Sequence, residues 1–194
     1  MTYRIALPKL ACFVIFLTLN AQAQNTLDKA GLGSGATASA AYSTRRLSSS
    51  YSGYALRVLR TSDNTLLDIG FTANGDLDST ALKTFVGSST GQATTWYDQS
   101  GHGLDLTQAT IARQPILVNS GTINRENNRP FIRFFGSGTT YNSLNLAADM
   151  TTVGHVSAVL RFSASIYPNL RALADHTDYC RGGTIHAFDG HHLE

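Results

Sequence analysis

Cysteine is almost absent from this 194-residue sequence, which has only Cys12 and Cys180. Cys12 falls inside an N-terminal apolar stretch, so a single thiol serves the rest of the chain and no internal disulfide can staple it. Charge is also scarce. Charged residues are 14% of the chain, which excludes a disordered polyelectrolyte and a long charged helix. The 15 basic residues exceed the 13 acidic ones only through Arg4 and Lys9 near the N-terminus. Beyond those two the signs balance, and nothing in the charge favours nucleic acid or an anionic membrane as a partner. No apolar run is long enough to span a bilayer as a helix. Solenoid-type internal repeats are missing too. So are the G-x-S-x-G elbow of a serine hydrolase, the H-E-x-x-H zinc motif and any phosphate-cradling glycine loop. No cofactor and no metal are expected.

What is present at the N-terminus reads as an export signal. Arg4 and Lys9 precede the apolar core LACFVIFLTL, residues 10–19, and the small-x-small site Ala21–Ala23 follows. Cleavage is expected after Ala23, giving a secreted, extracellular or cell-surface product. The apolar run continues past Cys12, with Lys9 just upstream, which argues against a lipid anchor there. Residues 24–40 are small and polar, as in a flexible lead-in.

From residue 41 onward, short apolar segments alternate with polar residues and end in Gly, Ser or Asn. In YALRVLR, Tyr54, Leu56 and Val58 fall on one face. In LDIGF, Leu67, Ile69 and Phe71 do the same. ATTWY, PILV, FIRFF and VSAVLRF read as further strands, the last with the clearest alternation. One helix is expected in DLDSTALKTFVG, capped by Asp78 or Ser79 and ended by Gly87, with Leu82, Phe85 and Val86 on one face. AYSTRRL, near residue 44, could add a single turn. This pattern predicts an all-β, antiparallel sandwich or jelly roll with one or two short helices. The strands counted are too few to seal two sheets, so an incomplete domain is expected over residues 41–194.

Several constellations could carry chemistry. Trp96, the only tryptophan, and Tyr97 point to opposite faces of a strand, and an exposed Trp96 would offer a sugar ring a flat platform. Asp98, Gln99, Ser100 and Gly101 follow as a turn, with Asp98 placed to accept N–H bonds. In NGDLD, residues 74–78, the full spacing of a calcium loop is missing and helix capping accounts for Asp78. His176, His186, His191 and His192 show no zinc spacing. Asp175, Asp178, Asp189 and Glu194 are carboxylates of the kind glycoside hydrolysis needs in pairs, although turns account for them equally well.

Two strings carry a more specific signal. AYSTRRLSSSYSGYALRVLRTSDN, followed by TTWYDQSGHGLDLTQAT, resembles the N-terminal half of the catalytic domain of the α-L-arabinofuranosidase B family. The matching residues run from Ser43, Thr44, Arg46 and Leu47 through Tyr51–Gly53 to Arg60, Ser62 and Asp63. The strongest stretch is Tyr97–Gly101, continued by Gly103 and Leu106–Ala109. The resemblance implies a concanavalin-like β-sandwich. It implies a secreted enzyme that releases arabinofuranose from arabinose-containing polysaccharides with retention, or a non-catalytic glycan-binding module on the same fold. It also marks Asp175, Asp178, Tyr179 and Cys180 as the loop lining the sugar, in addition to Trp96, which is a candidate on its aromatic chemistry alone. Tyr179 stands where the family has the first of two adjacent cysteines, and the Asp-x-Glu-Asn segment that holds the family's nucleophile does not occur in this sequence. The catalytic residues are therefore left unassigned.

Overall fold

The computed structural model describes residues 25–29, 38–137, 140–146, 148, 150, 156–161 and 184–186. The expected signal segment and the candidate loop at Asp175, Asp178, Tyr179 and Cys180 lie outside them. The described residues are mostly antiparallel sheet with few helices, as the alternation predicts. No helix among them is long and apolar enough to cross a membrane.

The centre of the architecture is an eight-stranded sheet. Strands β1 (Leu56–Arg60) and β2 (Thr65–Ile69) form a hairpin, with Leu56 opposite Ile69 and Arg60 opposite Thr65. Its turn is closed by Asp63, which accepts from the Thr65 N–H and hydroxyl and from the Arg60 guanidinium. Asn64 there holds a φ of 56°, a conformation asparagine tolerates better than most residues. β3 (Gly91–Trp96) lies on the other side of β1. Its far edge is shared, with β5 (Ile116–Asn119) at its start and β4 (Leu106–Thr107) at its end. β6 (Thr122–Ile123) extends from β5, while β11 (Ser143–Leu146) and β12 (Thr184–His186) extend from β4. Two small ribbons stand apart: β7 (Arg125–Glu126) with β8 (Arg129–Pro130), and β9 (Gly136–Ser137) with β10 (Thr140–Tyr141).

Helix α2 (Ser79–Val86) forms where its local signals place it. Asp78 accepts from the Ala81 N–H at 2.9 Å, satisfying one of the orphan donors of the first turn. Gly87 ends the helix at a φ of 61°. Leu82 and Val86 reach into a core made by Ala55, Leu56, Val58, Ile69, Leu77, Ala93, Leu117 and Val118, with Phe71, Phe85 and Trp96 packed at its margin. Burying each of the larger side chains stabilises the fold by about 1.5–3 kcal/mol. Gly91 lets the layers close: a Cβ there would sit 2.9 Å from Val86 Cγ2 and 3.3 Å from Val118 Cβ. A shorter helical turn, α1 (Thr26–Lys29), occurs within the stretch read as a flexible lead-in. It is tied by the Leu27 N–H to the Leu47 carbonyl, and by Asp28 to the Ser48 hydroxyl and the Ser49 N–H.

Four local expectations need correction. Tyr54 is 52% exposed, because β1 begins only at Leu56 and the residue precedes the paired region. Leu67 is exposed although it shares a face with buried Ile69, since β2 is the outermost strand and its turn end runs past the core. AYSTRRL forms no helical turn; Arg45 instead makes an isolated bridge to Asp76. FIRFF and VSAVLRF are not strands over their described residues. Arg133 bridges Ile116 through two backbone bonds, and residues 156–161 are exposed with no strand partner among the described residues. Alternation makes a strand only where a neighbour supplies the other half of the ladder.

Leu82→Ala should lower unfolding stability by about 2–5 kcal/mol, because it empties the site without harming helix propensity. Urea unfolding followed by circular dichroism measures this. Lys83→Ala, one residue along and exposed, should stay within about 0.5 kcal/mol of the parent.

Candidate functional site

At the end of β3 the chain passes from Trp96 to Gly101. Trp96 turns inward, against the core, with its ring centroid 5.9 Å from that of Tyr42 and its indole N–H enclosed without a hydrogen-bond partner among the described residues. Tyr97 turns the other way. Its hydroxyl donates to Asp68 Oδ1 at 2.7 Å, and Asp68 also receives the Arg57 fork through two bonds of 2.8 Å. That fork holds the Asp68 carboxyl below its ordinary value, helped by the Tyr97 bond against the effect of burial. Burial first, and Asp68 second, push the Tyr97 phenol up.

Asp98 is 4% exposed and saturated with donors. It accepts from the N–H groups of Ala41 (2.8 Å), Ser100 (2.8 Å) and Leu104 (3.1 Å), and from the Ser100 hydroxyl (2.7 Å). Burial opposes its charge, but these bonds outweigh burial and leave the carboxyl below its ordinary value. Gln99, 2% exposed, works at longer range. Its Oε1 accepts from the Leu47 N–H at 2.7 Å, and its Nε2 donates to the Ser43 and Arg45 carbonyls at 2.9 and 3.0 Å. The backbone adds the Gln99 N–H to the Ala41 carbonyl at 2.7 Å. The two strings that look separate in the sequence are therefore one seam. The sequence marks Gln99 only as a turn residue. A side-chain amide has the two donors and the acceptor that such a role requires, but nothing local names partners so far away.

Ser100 also meets His102, with Oγ 3.0 Å from Nδ1. The order is Asp–Ser–His, with the hydroxyl in the middle and bonded to the carboxylate. A nucleophilic serine needs the imidazole in that central place, so the cluster is a turn device. Among the described residues every carboxylate is engaged. Asp28 holds Ser48 and Ser49, Asp63 holds Arg60, Asp76 pairs with Arg45, Asp78 caps α2, Asp105 accepts from the Asp98 N–H, and Glu126 pairs with Arg161. A glycosidic general acid needs a carboxyl whose value is raised, whereas Asp28, Asp63, Asp68 and Asp98 are all lowered. No cluster of three or more His, Cys, Asp or Glu residues suited to a metal occurs among the described residues. The sequence also gave no notice of a basic depression between Arg45, Asp76 and the β7–β8 hairpin.

The seam and six of the sheet's eight strands lie within a stretch, residues 32–129, that matches the family model described as α-L-arabinofuranosidase B, catalytic. The chain belongs to this family. The α-L-arabinofuranosidase B of Aspergillus niger is 46% identical over 67 residues, which cover 34% of this chain and 13% of that protein. The protein of the same name from Emericella nidulans matches to the same extent. The chain thus spans a small part of these relatives. Among solved structures, an arabinofuranosidase complexed with arabinofuranosyl-α-1,2-xylobiose is 33% identical over 58% of this chain and 26% of its own, with a TM-score of 0.41.

Gln99→Ala should remove about 3 kcal/mol or more, because it leaves two carbonyls and one N–H of the family segment without partners. Denaturant unfolding reads this directly. The Asp98 contribution has a definite pH sense. It is full above the unfolded-state value near pH 4 and is lost as pH falls through the lower folded value. Asp98→Asn should flatten the acid limb of a stability-versus-pH curve below about pH 5.

Proposed function

We propose that this chain contributes to a secreted glycoside hydrolase of the α-L-arabinofuranosidase type that acts on arabinose-containing polysaccharides. The observation that carries this reading is the family match over residues 32–129, whose two motif strings the fold joins through Asp98 and Gln99. In this reading residues 1–23 are removed on export, residues 24–40 lead in, and residues 41–194 belong to a concanavalin-like sandwich domain.

Hydrolysis with retention needs two carboxyl groups about 5–5.5 Å apart, one protonated to assist the leaving oxygen and one ionised to attack the anomeric carbon. The described carboxylates are already committed to arginines, hydroxyls and backbone N–H groups. They supply the scaffold, and the catalytic pair is to be sought elsewhere. Asp175, Asp178, Tyr179 and Cys180 remain the candidates for lining the sugar.

A second reading is a glycan-binding module without catalysis. It is favoured by the engaged carboxylates and by Tyr179 in place of the family's first adjacent cysteine. One experiment separates the two. The chain, and a form extended by any in-frame downstream sequence, is incubated with an aryl α-L-arabinofuranoside, and its binding to arabinan and arabinoxylan is measured by calorimetry. Aryl release is the expected outcome for the extended form. Binding without release in both forms would replace the enzyme with the module.

A further inference from the structure

Three arginines of this chain are gathered in one place. Hairpin β7–β8 carries Arg125 and Arg129 around an Asn127–Asn128 turn, whose two residues hold φ of 47° and 62°. The Thr44 hydroxyl donates to the Pro130 carbonyl at 2.9 Å and ties this hairpin to the family segment. Arg45, next in that segment, bridges Asp76. Between them lies a surface depression of about 320 Å³, lined by Arg45, Asp76, Arg125, Asn128 and Arg129 among others. A volume of that order suits one or two sugar units.

Three guanidiniums surround one carboxylate. This leaves a local surplus of two positive charges. Asp76 cannot neutralise it: Oδ1 lies 3.1 Å from Arg45 Nε and 3.8 Å from Arg129 Nη1. Arg125 gives one N–H to the Asn128 carbonyl at 2.9 Å. Glu126, the hairpin's own acid, pairs with Arg161 and does not line the depression. A guanidinium offers five N–H donors in a planar fork, so most donors of Arg125 and Arg129 remain for a ligand. Such a fork matches the two oxygens of a carboxylate. The neighbouring Asn128 amide both donates and accepts, as a ring hydroxyl requires.

We propose that this depression binds the carboxylate of a uronic acid unit in an acidic glycan, with Arg125 and Arg129 on the carboxylate and Asn128 on an adjacent hydroxyl. The choice of a sugar acid over a free phosphate rests on the glycan-directed reading above; the arginine cluster rests on its own geometry. The site would hold a substituted polysaccharide by its charged units.

The test is calorimetric titration of the full chain with trigalacturonate, with neutral xylotriose and inorganic phosphate as controls. Trigalacturonate should bind, xylotriose should not compete, and added salt should weaken the interaction. Arg125→Gln with Arg129→Gln should weaken it by about tenfold or more. The paired Arg→Lys variant keeps charge and surface while losing the fork, and should fall between the two, which covers the case in which the glutamine variant unfolds. Trigalacturonate binding no tighter than xylotriose, unchanged binding in both variants, or tighter binding of phosphate would each overturn the proposal. Failure to cleave an arabinofuranoside bears only on the preceding reading.

Discussion

The hydrogen bonds of Asp98 and Gln99 are what the rest of the arrangement depends on. They are the means by which residues 39–47, which form no strand of their own, become part of the sheet's architecture. Both side chains are nearly sealed from solvent, where an unpaired polar group is costly and a fully paired one fixes a single geometry. Asp98 gathers N–H donors as an ionised carboxylate can, and Gln99 supplies both donors and an acceptor as only an amide can. Exchanging the two residue types would set amide donors against N–H donors at position 98 and carboxylate oxygens against carbonyls at position 99. Through this seam Arg45 and Thr44 acquire fixed positions, and from those follow the bridge to Asp76 and the anchoring of the β7–β8 hairpin.

The molecule also separates two kinds of charge. Acids beside the sheet are locked in pairs: Arg57 with Asp68 under Tyr97, and Arg60 with Asp63 across a turn. These are local pairs on a solvated surface, and their role is to hold turns and register more than to supply stability. The arginines near the hairpin are different in kind. They come from two separated segments and outnumber the acid, Asp76, that a third segment places among them. Family membership accounts for the first arrangement as scaffold. The second is a feature of this surface that scaffold alone does not require.

What could be read in advance was what is encoded locally. Helix α2 is announced by Asp78 and Gly87 at its ends and by Leu82 and Val86 one turn apart, and it forms there. β1 and β5 follow from short apolar runs between turn residues. VSAVLRF has a better alternation than either, yet residues 156–161 are exposed with no strand partner among the described residues, because a period of two records a possible face and not a partner. Gln99 and the arginine depression were illegible for a related reason. Their meaning lies in residues far along the chain, at spacings no periodicity carries. Trp96 illustrates the same limit: the strand pattern fixed that it opposes Tyr97, while only the packed core decides that it faces inward.

The sequence distance spanned by the seam has a kinetic side. Asp98 bonds Ala41 across 57 residues, and Gln99 bonds Leu47 across 52. The β1–β2 hairpin closes over a handful of residues and can form early, whereas the seam must wait for a long loop to close. During synthesis, the segment from Ala41 to Leu47 emerges first, and its partners Leu27, Gly75 and Asp76 are all made before Gln99. In that interval the Ala41 and Leu47 N–H groups and the Ser43 carbonyl still lack the partners that Asp98 and Gln99 supply. The seam is thus closed late, and a chain halted before Gln99 would hold the beginning of the motif without the bonds of Asp98 and Gln99.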